Sequence, residues 1–336
     1  MAYRIMILCS MILPQSCSSV FVAPPPIKAG GTTHPRSWPR KNARRKALDA
    51  MRLGGDNLVA MSNGELELMH NVFTEMLEVM DVALCHYQAA MLEPVRANTQ
   101  HGLIFRFQKQ DIHQALVLKL AHVQSTLRAA QVLLKHGHII QQGALQRIVE
   151  ETNEDILFLF LAVAKNNVTA LHRRYLAEFW AEEFDLTNPN APHKGRRMIP
   201  RREIRAYIEE AERTFGFSSA AHPKEVIYKM ESGFVHAAST HIMEIFGGNP
   251  PRFHTRGMLG TPRIPGYTWS LWNYMYRGLQ SHISVGIAFD MFQLVDQLKA
   301  HKKRFESLAG VNYDHANAKA SPSVGNADVS RPDSPH

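Results

Sequence analysis

The feature that most limits the fold of this chain is the recurrence of apolar residues at helical intervals over its central part. Between Ser62 and Pro94, apolar side chains return every three or four residues, which places them on one face of an α-helix. Ser62 and Glu65 have capping-box spacing, so the first helix is predicted to begin at Ser62. The apolar/polar alternation typical of strands is scarce throughout. The chain is therefore predicted to be all-α.

Six further helices are indicated by the same pattern and by the turn residues that end them, among them Gly137, which is predicted to cap the end of the second helix. They are expected at about residues 111–136, 139–166, 168–184, 200–215, 223–246 and 268–308, the last with a kink near Gly278. The apolar run from Ile156 to Ala164 is too short for a membrane span, so it is predicted to lie at the buried centre. Residues 247–267 form a long Gly/Pro loop that is either disordered or functional. The predicted fold is a bundle of about seven helices with disordered N- and C-terminal tails.

The basic charge of the chain lies mainly outside this predicted bundle. Residues 24–60 carry eight Lys and Arg against two Asp, whereas residues 61–309 have a net charge of about +2. We divide the chain into a leader and basic disordered arm (1–61), a helical domain (62–308) and a disordered tail (309–336). A basic arm attracts phosphate non-specifically, so it says little about the function of the folded domain.

The N-terminus and the cysteines bear on the cellular compartment. Ile5 to Leu13 resembles the apolar core of a secretory signal, but the residues around a cleavage after Ala23 are unsuitable, and the stretch is too short to span a bilayer. We expect a cytoplasmic protein without a membrane span, and secretion is the alternative interpretation. Only Cys85 lies in the predicted domain, which excludes a disulfide within it. Its apolar helical surroundings predict a small buried residue.

Common catalytic and metal-binding motifs are absent from the sequence. There is no Walker A loop, Gly-x-Gly-x-x-Gly, Gly-x-Ser-x-Gly or His-Glu-x-x-His, and no cofactor is predicted. A di-iron site needs two Glu-x-x-His pairs from different helices, and only Glu67-Leu-Met-His70 is present. An acidic stretch on the third predicted helix lacks a histidine and is interpreted as a solvated face. It comprises Glu150, Glu151, Glu154 and Asp155.

One part of the sixth predicted helix is unusually rich in small residues. Ser, Gly and Ala in residues 232–239 lower helix propensity and favour close helix packing. Lys229, Ser232 and His236 are spaced i, i+3 and i+7, which predicts that they share one helix face. His236 could then act as a general base, with Lys229 stabilising an anion. The alternative is a histidine hydrogen-bonded across a tight helix contact.

The loop after this helix is rich in cations. It carries Arg252, His254, Arg256 and Arg263, with Phe253 among them. Cations with one aromatic residue suit a phosphate or a single-stranded nucleic acid. The same residues could instead pin the loop by salt bridges to the acidic helices, and the sequence leaves both interpretations open.

The stretch from Ser232 to His254 resembles a bacterial family known only as a domain of unknown function. A second stretch agrees, because Leu133–His138 and then Gln146–Glu151 are similar to that family's pattern of helix, Gly, and then Arg and Glu on the next helix. The resemblance covers roughly residues 110–300. It implies a helical fold, loosely like that of HEPN proteins, some of which cleave RNA in defence or toxin systems. Candidate binding residues are Arg147, Glu151, Ser232, His241, Arg252 and His254 in the two stretches, and Arg256 in the loop just after the second.

HEPN ribonucleases have an Arg and a His on one helix with four to six residues between them. This spacing occurs at Arg96–His101, Arg106–His113, Arg277–His282 and Arg331–His336, about as often as chance predicts from the composition. The cation before His236 is instead Lys229, which lacks the bidentate grip of Arg on phosphate.

Two hypotheses from different classes follow. The first is a non-catalytic helical interaction module that binds RNA or another protein, with the basic arm contributing and a homodimer left open. The second is a HEPN-like, metal-independent ribonuclease that uses His236 as base, with Lys229 or Arg252 against the phosphate.

Overall fold

The predicted start of the first helix is confirmed in the computed structural model, which describes residues 61–99, 102–182, 198–214 and 232–310. Helix α1 (Asn63–Ala89) is capped by Ser62, whose hydroxyl accepts from the Glu65 N–H at 3.3 Å, while the Glu65 carboxylate accepts from the Ser62 N–H at 2.7 Å. Helix α2 (Ile112–Lys135) ends as predicted at Gly137, which has a φ of 74°.

Within the described ranges the fold is an all-α bundle with two small hairpins, which confirms the predicted fold class. The remaining helices are α3 (Ile139–Ala164), α4 (Ala170–Trp180), α5 (Arg201–Thr214), α6 (Ser239–Ile242), a 3₁₀ turn (Met243–Ile245), α7 (Arg263–Ala288) and α8 (Phe292–Leu308). The antiparallel hairpins are β1 (Val95–Thr99) with β2 (Gly102–Arg106), and β3 (Phe246–Gly247) with β4 (Arg252–Phe253). The strands were not predicted because they are short and lack a regular alternation. Most of the predicted tails lies outside the described residues.

The four longest helices, α1, α2, α3 and α7, pack side by side around a shared apolar core. The tight turn at Gly137 makes α2 and α3 antiparallel, and Lys119 of α2 contacts Asp155 of α3 at 2.7 Å. Helix α1 is antiparallel to α2, because Gln131 near the end of α2 donates to the carbonyl of His70 near the start of α1 at 2.9 Å.

Helix α7 is the centre of the bundle. Of its 26 residues 21 are buried, and it contacts α1, α2, α3 and α8. Gly278 and Gly286 permit this packing: a Cβ on Gly278 would lie 2.6 Å from Leu127, and one on Gly286 would lie 2.8 Å from Val295 and 2.9 Å from the Tyr87 hydroxyl. Helix α7 continues through Gly278, the position of the predicted kink, and the glycine there permits close approach to Leu127.

The long last helix of the prediction is in fact two helices. The chain turns at residues 289–291, where Asp290 has a φ of 57°, a conformation that Asp tolerates better than most residues. Helix α8 then folds back along α7, and the Tyr276 hydroxyl donates to the Glu306 carboxylate at 2.6 Å. Neither Gly nor Pro marks this break, so the sequence pattern did not indicate it.

Of two features predicted to be buried, the apolar run on α3 is buried and Cys85 is not. Ile156, Phe158–Ala162 and Ala164 are buried, which confirms the predicted centre on α3. The prediction for Cys85 is wrong, because its side chain is exposed on α1. The neighbouring Ala83 and Tyr87 face the core instead, each with no exposed surface.

The sixth predicted helix is only partly described, and the described part contradicts a continuous helix. Residues 232–235 are helical, Ala237 has a φ of 51°, and α6 begins at Ser239. The predicted loop at 247–267 is also shorter, because β4 lies within it and α7 begins at Arg263. In the described parts of the chain, no helix is both long and apolar enough to cross a membrane.

Candidate functional site

A single segment covers one end of the bundle and contains most of the predicted site residues. We call residues 232–262 the capping segment. It crosses the turn between α2 and α3, where the Met258 N–H donates to the Gly137 carbonyl at 2.9 Å. Glycine is needed on both sides, since a Cβ on Gly257 would lie 2.2 Å from the His136 carbonyl and one on Gly137 would lie 2.5 Å from the Met258 nitrogen. The capping segment is thus held to the bundle through its backbone.

Phe234 provides a second anchor for the capping segment. It is 5% exposed and lies against Gly143 of α3, where a Cβ would be 2.8 Å from the ring. His241 meets Phe234 edge-on, with 4.4 Å between ring centroids, and a Cβ on Gly233 would lie 2.1 Å from His241. The small residues therefore do permit close packing, but of rings against backbone. His241, a predicted binding residue, is half-buried by this packing.

A buried ion pair fixes the middle of the capping segment. The Glu244 carboxylate binds the Arg263 guanidinium at the start of α7 and lies beside the Tyr267 hydroxyl. Burial raises the pKa of Glu244, although the charges of Arg263 and His241 oppose that shift. Burial also raises the pKa of the Tyr267 phenol, which stays neutral. The ion pair with Arg263 gives the buried Glu244 carboxylate the charged partner that its burial requires.

The predicted catalytic pair is not seen together. Lys229 lies outside the described residues. His236 ends a helical turn instead of occupying the middle of a helix. Its backbone N–H donates to the carbonyl oxygen of Ser232 at 3.1 Å, and Ser232 is half-buried. The mid-helix position is wrong because the chain turns at Ala237. The His236 side chain is exposed, and no hydrogen bond from it across a helix contact is found among the described residues.

The predicted cationic residues lie on and after the β3–β4 hairpin. Arg252 and Arg256 are exposed, and neither forms an ion pair with another described residue. His254 is half-buried, with its Nε2 atom 3.1 Å from the Gly247 carbonyl oxygen. Of the three loop arginines, only Arg263 has a carboxylate partner among the described residues. Salt bridges from Arg252 and Arg256 to the acidic residues of α3 are therefore not found.

The acidic stretch on α3 is not a solvated face, so that interpretation is wrong. Glu150 and Asp155 are 7% and 3% exposed. Cations from three other helices neutralise them: Arg277 of α7 binds Glu150 at 2.6 Å, Lys119 of α2 binds Asp155 at 2.7 Å, and Arg201 of α5 also binds Asp155. A buried carboxylate requires such partners.

Arg147 and Glu151, the two candidate residues on α3, belong to the same network. Arg147 is buried and binds Glu151 at 2.5 Å, and Glu151 also lies 3.8 Å from Arg201. They hold each other and α5 in place. The structure does not bring them to the exposed arginines of the capping segment.

A polar seam between α3 and α7 was missed at the sequence level. Its hydrogen bonds, in order along both helices, are Gln142 Nε2 to the Tyr267 carbonyl (3.1 Å), Ser270 Oγ to Gln146 (3.0 Å), Arg277 to Glu150 (2.6 Å) and Ser281 Oγ to Asn153 (2.7 Å). Because the partners advance together, α3 and α7 are parallel. The polar residues of the seam are spaced along one face of α3, but the same spacing is expected of a face exposed to solvent.

The Arg–His spacing of HEPN ribonucleases is best tested on α7, which carries both Arg277 and His282. Arg277 is occupied by Glu150, and His282 has no exposed surface. Burial lowers the pKa of His282 to about 3, so it is neutral at physiological pH. An enclosed neutral histidine belongs to the core and cannot act on a substrate. Among the described residues, no group of three or more His, Cys, Asp and Glu side chains is suited to a metal ion.

The capping segment exposes large apolar side chains. Five are between 39% and 59% exposed: Val235, Ile242, Met243, Phe253 and Leu259. The Phe253 ring packs edge-on against Phe246, with 4.9 Å between ring centroids. The segment is therefore tightly anchored on one side and apolar and cationic where it meets solvent.

A scan against protein-family models, a search of curated proteins and a search of solved structures each found no match. The resemblance to an uncharacterised bacterial family and to HEPN proteins stays a prediction.

Proposed function

We propose that this protein is a non-catalytic interaction module that binds another protein through the exposed side of the capping segment. The observation that carries the proposal is the concentration of five exposed large apolar residues in 31 residues of chain whose other side is fixed to the bundle. Exposed apolar surface concentrated in this way is typical of an interaction site.

The charge of the segment indicates the chemistry of the partner. Arg252 and Arg256 flank Phe253 and are bound by no other described residue. Arginine and aromatic residues are the commonest energetic centres of protein interfaces. A partner with apolar side chains beside Asp or Glu would bury Phe253 and pair with both guanidinium groups.

Site-specific photocrosslinking in the organism that carries the gene tests this proposal. A photoreactive phenylalanine at Met243 should give a discrete protein adduct, whereas one at Glu78, exposed on α1, should not. Ile242→Ser with Phe253→Ser should reduce the adduct by about tenfold or more, because it removes central contacts. Leu68→Ser with Val82→Ser removes two exposed apolar residues from α1 and is the matched control.

The outcomes separate protein from nucleic acid. An adduct that protease removes and ribonuclease leaves intact supports a protein partner, and its loss in Arg252→Glu with Arg256→Glu supports an acidic one. An adduct that ribonuclease removes would replace the proposal with RNA binding. Equal adducts at Met243 and Glu78 would refute it.

The HEPN-like ribonuclease is the second candidate, favoured by the exposure of both His236 and Arg252 in the same segment. Purified protein would be incubated with total RNA, with and without a chelator, beside His236→Ala. Cleavage that resists the chelator and is lost in the variant would establish this function. We expect no cleavage, or equal residual cleavage by both proteins.

A further inference from the structure

The β1–β2 hairpin, residues 95–106, is a second feature that the proposed function does not use. We call it the ribbon. Among the described residues its two strands pair only with each other, so no third strand covers either edge, although the Phe105 carbonyl accepts from the Arg106 guanidinium at 2.9 Å. A two-stranded ribbon is at best marginally stable in water on its own. A further strand paired at one of its edges would therefore stabilise the ribbon.

The two faces of the ribbon differ in their surroundings. Alternation and register place Arg96, Asn98, Leu103 and Phe105 on one face. Leu103 and Phe105 are 54% and 51% exposed, and the Arg96 guanidinium lies 5.8 Å from the centre of the Phe105 ring. On the other face, Ile104 is half-buried and Arg106 binds Glu182 beyond the end of α4. The face with Leu103 and Phe105 is thus the more exposed of the two, although Val95 on the other face is 39% exposed.

The two edges of the ribbon also differ. Strand β1 follows Pro94 and carries Arg96 near its middle, and Pro and charged residues are the usual protection of an exposed edge. Strand β2 has the apolar centre Leu103-Ile104-Phe105 and no charge before Arg106. The edge of β2 is therefore the one suited to pairing with another strand.

The sequence of β2 is complementary to itself. In an antiparallel pair with a twofold axis at Ile104, Leu103 of each copy faces Phe105 of the other, and Gly102 faces Arg106. Aromatic and aliphatic residues are then paired across the strands, and no like charges are opposed. No residue from 95 to 106 is acidic, so an unrelated basic strand gains nothing from this edge.

We infer that two copies of this chain pair β2 with β2 about Ile104, which joins the ribbons into one four-stranded antiparallel sheet. The dimer places Leu103 and Phe105 of both copies side by side on its exposed face. This surface is separate from the capping segment, so the inference neither depends on the proposed function nor supports it.

Sedimentation equilibrium of the full chain tests the inference. The weight-average mass should rise from that of one chain towards twice that value between about 1 µM and about 200 µM, the affinity range of a small interface. Two double variants that remove the same two apolar side chains give the sharpest comparison. L103K/F105E opposes Lys to Glu across the proposed pair and should still dimerise. L103E/F105E opposes Glu to Glu across the proposed pair, keeps Glu opposite Arg96 within each ribbon as in L103K/F105E, and should weaken the dimer by about tenfold or more.

Both side chains are more than half exposed, so far-UV circular dichroism and thermal unfolding should match wild type in both variants. A wild-type chain that stays monomeric across the whole range overturns the inference. Equal association of the two double variants also overturns it, because the contact would then not have this register.

Discussion

At the scale of single residues, the contact between the capping segment and the α2–α3 turn depends on Gly257. A Cβ there would lie 2.2 Å from the His136 carbonyl oxygen, and the φ of 112° disfavours any L side chain. Gly257→Ala must therefore strain its own backbone and push the two backbones apart. We expect the free energy of unfolding in urea to fall by about 2 kcal/mol or more.

Gly260→Ala is the matched control for this prediction. Gly260 also has a positive φ, 73°, but a Cβ there would meet nothing within 4 Å. Only the backbone strain of about 1 kcal/mol should appear. Hydrogen exchange should quicken across residues 232–262 in Gly257→Ala far more than in Gly260→Ala. Equal losses would mean that close approach to His136 contributes nothing.

At the scale of elements, α5 is held to α3 by buried charges. Arg205 binds Glu154 at 2.8 Å, with side chains 22% and 13% exposed. Burial raises the pKa of Glu154 despite this arginine. Arg205→Met leaves the carboxylate buried without that partner, so the free energy of unfolding at pH 7 should fall by about 3 kcal/mol.

The pH dependence of this loss gives its cause. A carboxyl group whose pKa is raised on folding favours the folded state most below its unfolded pKa, and that contribution is lost as pH rises through the folded pKa. Removing Arg205 raises the pKa of Glu154 further. The loss of unfolding free energy in Arg205→Met should therefore shrink as the pH falls towards 4.5, the ordinary pKa of a Glu side chain. Adding Glu154→Gln should remove the pH dependence.

An exposed pair that joins α4 to α5 is the control. Arg174 binds Glu203 with side chains 53% and 37% exposed. Arg174→Met should cost less than about 1 kcal/mol at any pH, as exposed pairs usually do. If Arg174→Met and Arg205→Met were equally destabilising, burial would not be what gives the α3–α5 charges their importance.

At the scale of the whole molecule, the sequence predicts the long helices and their caps well because those signals are local. Ser62, Gly137 and the run from Ile156 act through neighbours in the chain, and each has the predicted role. The breaks at Ala237 and Asp290 have no local marker, since neither residue with positive φ is Gly and no Pro follows closely. Periodicity shows which residues share a helix face, but it does not show which other part of the protein covers that face.

The candidate site shows the same limit more sharply. Polar residues on α3 have the spacing of a solvent face, yet cations of α2, α5 and α7 bury them. The sequence did single out the stretch that became the capping segment, through its small residues and cations. It did not indicate that His236 is exposed while His241 is half-buried. That difference depends on the contact of His241 with Phe234 and on the end of the helix between His236 and His241.

The cooperativity of the bundle depends on α7, which packs against four other helices. A fragment of residues 61–182 contains α1 to α4 but exposes every surface that α7 covers, including the charged and polar residues of the α3 seam. We expect it to lack near-UV circular dichroism and to bind a dye that reports exposed apolar surface.

A fragment of residues 61–310 is the matched comparison and also tests the predicted domain boundaries of 62–308. It retains α7 and α8, so it should unfold in one transition within about 3 °C of the full chain. Cooperative unfolding of 61–182 alone would show that α1 to α4 form an independent unit. The parallel packing of α3 on α7 joins residues more than 120 positions apart in the chain, from Gln142 and Tyr267 to Asn153 and Ser281. Such distant pairing makes one cooperative domain the expected result.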